Sequence, residues 1–86
     1  MEPKINWVTG LIEVPKKDGI TSVYALFDRY GRYVIEGDDD GCSFFEKTER
    51  GIEEVQIQND VEVFRKVVTR DRVERAVLAC IRERGY

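Results

Sequence analysis

A run of three aspartates at 38–40 is the densest group of side chains in this chain that could bind a cation or a basic partner. Glu36 and the first and third of these aspartates match positions one, three and five of an EF-hand calcium loop, and Gly41 takes the position of the bend. Position twelve of such a loop is a bidentate glutamate, but here it is Lys47. The sequence therefore predicts an exposed acidic loop over 37–41, with no bound metal.

A second candidate site alternates cations with aromatic residues, at Arg29, Tyr30, Arg32 and Tyr33. Single-stranded nucleic acid could stack on the tyrosines while the arginines contact phosphates. Tyrosine and arginine are also enriched in the energetic centres of protein interfaces. The pattern favours a protein contact over a nucleic-acid contact, because the chain as a whole is acidic.

The C-terminal region adds five arginines, of which Arg75 and Arg82 flank Leu78 on one face of a predicted helix. A leucine exposed between two arginines would make a small docking patch. Asp71 is placed to pair with Arg75 four residues later, so part of this charge has a structural explanation. The predicted partner-binding residues are Asp38, Asp39, Asp40, Arg29, Tyr30, Arg32 and Leu78.

Residues suited to catalysis are scarce. There is no histidine, which removes the commonest general base and the commonest metal ligand. Glu53 and Glu54 are adjacent, so in a strand they point to opposite faces and cannot be assumed to act as a pair. Cys42 follows the acidic loop, a setting that weakens a thiol as a nucleophile, and Cys80 lies far from it in sequence. We expect no enzyme activity, no cofactor and two reduced cysteines.

The charges are sorted along the chain. The 86 residues carry a net charge of −3, but residues 36–60 hold nine carboxylates and two cations, whereas residues 61–86 hold seven cations and four carboxylates. The length predicts one globular domain over 1–86. No signal peptide or apolar run of membrane-spanning length is evident, so the cytoplasm is the expected compartment.

These side chains would be positioned mainly by β-strands. Residues 5–14 favour a strand with a bulge or bend at Gly10, and residues 15–19 form a turn cluster. Residues 20–27 are apolar on both faces, which predicts a central strand. The Asp28-Arg29-Tyr30-Gly31 segment suits a type I turn that closes a hairpin onto residues 32–36.

The second half is predicted to contain a hairpin and a helix. Residues 43–50 begin with a capping-box pattern and favour a short helix slightly over a strand. Alternating valines and isoleucines on either side of Asn59-Asp60 predict a hairpin. Thr69 is a candidate N-cap for a final helix, which Gly85 would end.

The predicted fold is α+β, an antiparallel sheet of about five strands packed by a C-terminal helix. The predicted function is a small non-enzymatic protein-interaction module that binds a basic partner through the acidic loop. By analogy, small acidic proteins of this kind serve as accessory or inhibitory factors, including phage-encoded ones. The alternative is a single-stranded nucleic-acid-binding protein that uses the Tyr/Arg tip and the arginine-rich helix. Oppositely charged faces also leave a homodimer as an option, and no membrane contact is expected.

Overall fold

The computed structural model describes residues 2–84, in which seven β-strands precede one α-helix. The elements are β1 (Lys4–Asn6), β2 (Leu11–Pro15), β3 (Thr21–Ala25), β4 (Arg32–Gly37), β5 (Gly41–Thr48), β6 (Gly51–Gln58), β7 (Val61–Val68) and α1 (Arg70–Arg84). The strands form two antiparallel sheets, ordered β1-β2-β3 and β4-β5-β6-β7. The predicted α+β class is confirmed, although the sequence suggested about five strands in a single sheet.

The predicted strand over residues 5–14 is a hairpin instead. Gly10 has a φ of 73° and its N–H donates to Asn6 O at 2.8 Å, so it closes a turn between β1 and β2. The Asn6 side chain adds hydrogen bonds from the N–H groups of Val8 and Thr9. The predicted bulge at Gly10 is therefore wrong, because side-chain and glycine turn chemistry coincide at this point and reverse the chain.

The strand predicted over 20–27 corresponds to β3 but is not central. The turn before it forms as expected, with Lys16 N–H donating to Ile20 O at 2.8 Å. However, β3 pairs only with β2 and lies at an edge of its sheet, where Val23 and Tyr24 are exposed. Apolar residues on both faces therefore do not mark a central strand here.

The turn at Asp28–Gly31 forms, but the hairpin predicted around it does not. Gly31 N–H donates to Asp28 O at 2.9 Å, and Gly31 has a φ of 75°. β3 pairs with β2, whereas β4 pairs with β5, so this turn carries the chain from one sheet to the other. Buried Leu26, whose N–H donates to Gly10 O, holds the preceding residues to the first sheet.

The short helix predicted over 43–50 is also wrong, since these residues lie mainly in β5. Phe44 and Phe45 are adjacent and both buried, which a strand permits because successive side chains point to opposite faces. β5 pairs along its length with β6, and the two are joined by a two-residue turn between Thr48 and Gly51. Gly51 thus opens a strand, with a φ of 119°, and does not end a helix.

The hairpin predicted at Asn59-Asp60 is confirmed. Gln58 pairs with Val61 across the two residues, whose φ values are 51° and 63°. Two consecutive positive φ angles define the type I′ geometry that matches the twist of the flanking strands.

The C-terminal helix is confirmed with its predicted cap. The Arg72 N–H donates to Thr69 Oγ1 at 3.1 Å, and Val73 N–H donates to Thr69 O. The predicted stop at Gly85 lies outside the described residues. The α1 residues that are buried are Val73, Ala76, Val77 and Ile81.

The core lies between the two sheets and the helix. Its buried members are Ile12, Val14, Leu26, Phe45, Val73, Ala76, Val77 and Ile81. The helix also approaches β4, where the Cys80 Sγ lies 3.9 Å from Ile35 O beside a register shift in the strand pairing. Within residues 2–84, no helix has the length and apolar character needed to cross a membrane.

Candidate protein-binding site

The three predicted aspartates form the exposed turn between β4 and β5. Asp38 orders this turn, because its Oδ1 accepts hydrogen bonds from the N–H groups of Asp40 at 2.8 Å and Gly41 at 3.0 Å. Asp38 N–H donates in turn to Gly41 O. Asp39 and Asp40 are exposed, so their carboxylates are presented on an ordered turn.

A second turn lies beside the first. Asn59 N–H donates to Asp40 O at 2.7 Å, which joins the β6–β7 turn to the β4–β5 turn and brings Asp60 to the same end of the molecule. We call this the acidic end, and it comprises Glu36, Asp38, Asp39, Asp40 and Asp60. Across residues 2–84, none of the ion pairs involves an acidic-end residue.

An open groove of about 480 Å³ adjoins the acidic end. Acidic, apolar and uncharged polar side chains line it, and no lysine or arginine of the described chain does so: Glu36, Asp38, Asp40, Cys42, Ile57, Val63, Ser43, Gln56 and Gln58. Cys42 pairs with Ile57 on β6 and with Gly37 on β4, so these three positions form one row across the sheet. We call this the acidic groove; residues of the aspartate turn form part of its lining.

The second predicted site is divided by the structure. Arg29 and Tyr30 lie together in the link between the sheets, with the Arg29 Cζ 4.8 Å from the Tyr30 ring centroid, and Tyr30 is 66% exposed. The guanidinium of Arg32 instead contacts Glu46 and Phe44 of the second sheet. Arg32 is the first residue of β4 and Asp38 follows its last, roughly 20 Å apart at strand spacing, so the two candidate sites are separate.

Arg32 belongs to a charged network centred on Arg65. The Arg32 Nε lies 2.9 Å from Glu46 Oε2, and its guanidinium covers the Phe44 ring at 4.8 Å. Arg65 contacts Glu62 at 2.7 Å, Glu46 at 3.1 Å and Glu53 at 3.6 Å. The network spans all four strands of the second sheet.

The network shifts the titration of its members. The hydrogen bond from Arg32, followed by that from Arg65, lowers the pKa of Glu46 below its ordinary 4.5, and burial opposes this only in part. The hydrogen bond from Arg65 likewise lowers the pKa of Glu62. The hydrogen bonds to Glu62 and Glu46 raise the pKa of Arg65. At neutral pH all these groups are therefore charged, which uses Arg32 and Arg65 within the fold.

Glu53 and Glu54 are buried on opposite faces of β6, as their adjacency predicts. Glu53 belongs to the Arg65 network, whereas Glu54 faces the helix. The Arg72 Nη2 lies 3.2 Å from Glu54 Oε1, but no hydrogen bond with acceptable geometry reaches that oxygen. The two carboxylates cannot act as an acid/base pair, because the strand separates them.

The arginines of α1 have intramolecular partners. The Arg75–Asp71 pair forms as predicted at 3.0 Å, and Arg82 lies 3.4 Å from Glu2. Arg70 covers the Trp7 ring at 5.1 Å. Leu78 is only partly exposed and packs against the core, so the exposed leucine expected between two arginines is not found.

The residues described contain no group of three or more His, Cys, Asp or Glu side chains placed to hold a metal ion. Gly41 and Lys47, which the calcium-loop alignment placed in a loop, both lie in β5. Cys42 and Cys80 are free thiols.

Comparisons with protein-family models, curated protein sequences and solved structures found no match for this chain. The class of molecule is therefore defined by its geometry alone: a small α+β protein with an ordered acidic end.

Sequence reasoning missed the acidic groove and the Arg65 network. Cys42, Ile57 and Val63 come from three different strands, and only the strand register brings them together. The predicted Asn59-Asp60 hairpin was the available signal, because it places another aspartate at a strand end. The sequence did not show that this turn lies beside the aspartate run.

Proposed function

We propose that this chain is a small non-enzymatic protein-interaction module that binds a basic surface of a partner through its acidic end. It would act as an accessory or inhibitory factor in the cytoplasm. The observation that carries the proposal is the contrast between the carboxylates. Those of the Arg65 network are paired within the fold, whereas those of the acidic end are clustered at two adjoining turns and take part in none of the ion pairs of residues 2–84.

The order of the aspartate turn also supports the proposal. Asp38 Oδ1 orders the backbone of its turn, and the hydrogen bond from Asn59 N–H to Asp40 O joins the neighbouring turn, so the backbone that carries the carboxylates is ordered before a partner arrives. A surface that is already ordered loses less conformational entropy on binding. Complementary charge would mainly speed association and select the partner.

The test uses octalysine as a basic probe, with binding measured by calorimetry at low salt. Asp39→Asn combined with Asp40→Asn spares Asp38 and the turn that it orders. We expect this double variant to weaken binding about fivefold, since exposed ion pairs contribute roughly 0.2–1 kcal/mol each.

The control is Glu49→Gln combined with Glu83→Gln, which removes two exposed carboxylates elsewhere and makes the same change in net charge. Binding should stay within about twofold of the unaltered protein, since screening limits the reach of distant exposed charges. An equal loss in both double variants would show that octalysine senses net charge only, and would reject the acidic end as the site.

The alternative function is single-stranded nucleic-acid binding, favoured by the exposed Arg29–Tyr30 pair. A thymidine 20-mer tests it by fluorescence anisotropy at moderate salt. Binding that falls steeply with added salt and is lost in Tyr30→Ala would favour this alternative. We expect no such binding, because Arg32, Arg72 and Arg75 already have carboxylate partners.

A further inference from the structure

We infer that the Arg32–Glu46 ion pair is a pH-sensitive cover on the face of the second sheet that points away from the core. At neutral pH the Arg32 guanidinium lies over Phe44 and shields it from water. Protonation of the Glu46 carboxylate releases the guanidinium and exposes the ring while the fold remains intact. This device is independent of the proposed function, because none of its residues belongs to the acidic end.

Two buried apolar residues of the second sheet lie outside the core. Phe44 and Val55 are 3% and 0% exposed, yet neither is a member of the core cluster. In the strand register Phe44 lies between Val34 on β4 and Val55 on β6, so the three side chains share one face. Phe45 packs in the core, and successive residues of a strand point to opposite faces, so this row lies on the outer face of the sheet.

Arginine side chains lie over this row. The Arg32 Cζ is 4.8 Å from the Phe44 ring centroid, a distance at which a guanidinium is attracted to an aromatic face. Arg65 lies opposite Val55 in the register. Val34, at the end of the same row, is 51% exposed, so this face is open to solvent. The burial of Phe44 therefore depends on where the Arg32 guanidinium is held.

One carboxylate holds the guanidinium that covers Phe44. The Arg32 Nε donates to Glu46 Oε2 at 2.9 Å, and the ion pairs of residues 2–84 give Arg32 no other carboxylate. Arg65, in contrast, is shared among Glu46, Glu53 and Glu62. Loss of the charge on Glu46 therefore frees Arg32, whereas Arg65 keeps two partners.

The charged groups around Glu46 set the pH at which the cover opens. They are Arg32 on β4, Glu53 on β6, and Glu62 and Arg65 on β7. The hydrogen bond from Arg32, and then that from Arg65, lowers the pKa of Glu46 below its ordinary 4.5 against the opposing effect of burial. A carboxyl with a lowered pKa favours the closed state above its ordinary value and loses this effect as the pH falls towards the lowered one. The cover should therefore be closed at pH 7 and open below about 4.5.

Fluorine NMR of protein labelled with 4-fluorophenylalanine tests the cover, with Phe44→Leu used to assign the Phe44 resonance. The difference in chemical shift between ordinary and heavy water reports how much solvent reaches each fluorine. Between pH 7 and pH 3 we expect this isotope shift to rise several-fold for Phe44 and to stay constant for Phe45, which packs in the core. A constant value at Phe44 would overturn the inference. An equal rise at both rings would also overturn it, because that result indicates general unfolding.

Glu46→Gln should open the cover at pH 7, because it removes the carboxylate charge and keeps the size of the side chain. We expect the isotope shift of Phe44 at pH 7 to reach the value that the unaltered protein has at pH 3, and to change little with pH. Glu49→Gln, in the exposed β5–β6 turn, should keep the pH dependence of the unaltered protein. If Phe44 stays shielded at pH 7 in Glu46→Gln, the carboxylate charge does not hold the cover and the inference is wrong.

Arg32→Ala removes the guanidinium itself and provides a second test if Glu46→Gln does not fold. We expect Phe44 to be exposed at every pH in this variant. Arg50→Ala is the matched control, because it removes a cation from an exposed position of the β5–β6 turn, and it should behave as the unaltered protein. Unchanged shielding of Phe44 in Arg32→Ala would assign its burial to the neighbouring strands and overturn the inference.

Discussion

Arg65 shows how a single residue can pair several carboxylates within the protein, so that they are not available to bind a partner. It contacts carboxylates from three strands, and Glu46 also binds Arg32. A guanidinium held by several partners loses its rotamer freedom once, so each further ion pair costs less entropy than an isolated pair. The network thus stabilises the second sheet, and its charges are not available for binding.

Glu46→Gln tests this network through its dependence on pH. Because the pKa of Glu46 is lowered in the folded protein, its stabilisation is present at neutral pH and is lost as the pH falls below about 4.5 towards the folded value. We expect the variant to lose about 1 kcal/mol of unfolding free energy at pH 7. Urea denaturation at pH 7, 5 and 3 should show the two proteins converging.

The control for this prediction is Glu49→Gln, in the exposed β5–β6 turn. It should match the unaltered protein within about 0.3 kcal/mol at each pH, as surface changes away from special features usually do. A Glu46→Gln deficit that stayed constant down to pH 3 would contradict the role assigned to the carboxylate.

Contacts between residues close in the sequence could be predicted, whereas contacts that depend on how the strands pair could not. Thr69 caps its helix and Asp28 orders its turn because the groups they bind lie within four residues in the sequence. The Arg32–Glu46 contact depends on β4 lying beside β5 in one register. Nothing local specifies that pairing, so Arg32 looked free in the sequence.

At the scale of elements, β5 shows local preference giving way to packing. Ser43 and Glu46 have capping-box spacing, which favours a helix by roughly 1 kcal/mol. A strand instead buries Phe44 and Phe45 on opposite faces, and burying a large apolar side chain contributes about 1.5–3 kcal/mol each. Since a short helix here could not bury both rings as fully, the strand is favoured.

In the β6–β7 turn, two residues adopt backbone conformations that are unfavourable for non-glycine residues, and a glycine substitution should remove part of this free-energy cost. Asn59 and Asp60 are the two non-glycine residues with positive φ in the described part of the chain. Asparagine tolerates this region, and Asn-Gly is the preferred sequence for a type I′ turn. The aspartate at the second position is therefore less favourable than glycine.

Asp60→Gly should raise the unfolding free energy by about 0.5–1 kcal/mol, measured by urea denaturation at pH 7. Asp39→Gly is the matched control, because it removes the same charge from the neighbouring turn at a residue without positive φ. The control should be neutral or destabilising. A gain of equal size in both variants would attribute the effect to charge repulsion, and the backbone explanation would be wrong.

At the scale of the whole molecule, the two edge strands of the second sheet, β4 and β7, differ in how exposed they are to solvent. The helix approaches β4 through Cys80, whereas β7 lies at the opposite edge with all but its last residue exposed. Its exposed apolar residues are Val61, Val63, Phe64 and Val67. Lys66 and the register shift near Val63 are features that discourage an edge strand from pairing with another chain.

Lys66→Val should increase self-association, because it removes a charge from this edge and extends its apolar surface. Size-exclusion chromatography with light scattering at matched concentrations would report a higher mean mass. Lys17→Val makes the same change in an exposed turn of the first sheet and should leave the mass unchanged. If both variants associate equally, the edge has no special role and net charge explains the effect.

The overall class was predictable from strand periodicity and the final helix, but the division into two sheets was not. The Asp28–Gly31 turn has the same local chemistry whether it closes a hairpin or connects two sheets. The difference is set by Leu26, which is buried in the core, and by the pairing of β4 with β5. The acidic groove was not predictable for the same reason, since its lining depends on the order of β4, β5, β6 and β7.

The meander order of the second sheet has a consequence for how the chain folds. β4, β5, β6 and β7 are consecutive, and each is joined to the next by a turn of two or three residues. Closing such short loops costs little entropy, so this sheet can form before distant parts of the chain meet. β1 and α1 come from opposite ends of the sequence, and their contact closes nearly the whole chain. We therefore expect amide exchange to be slowest in β5 and β6, and the acidic end to be assembled before the core is closed.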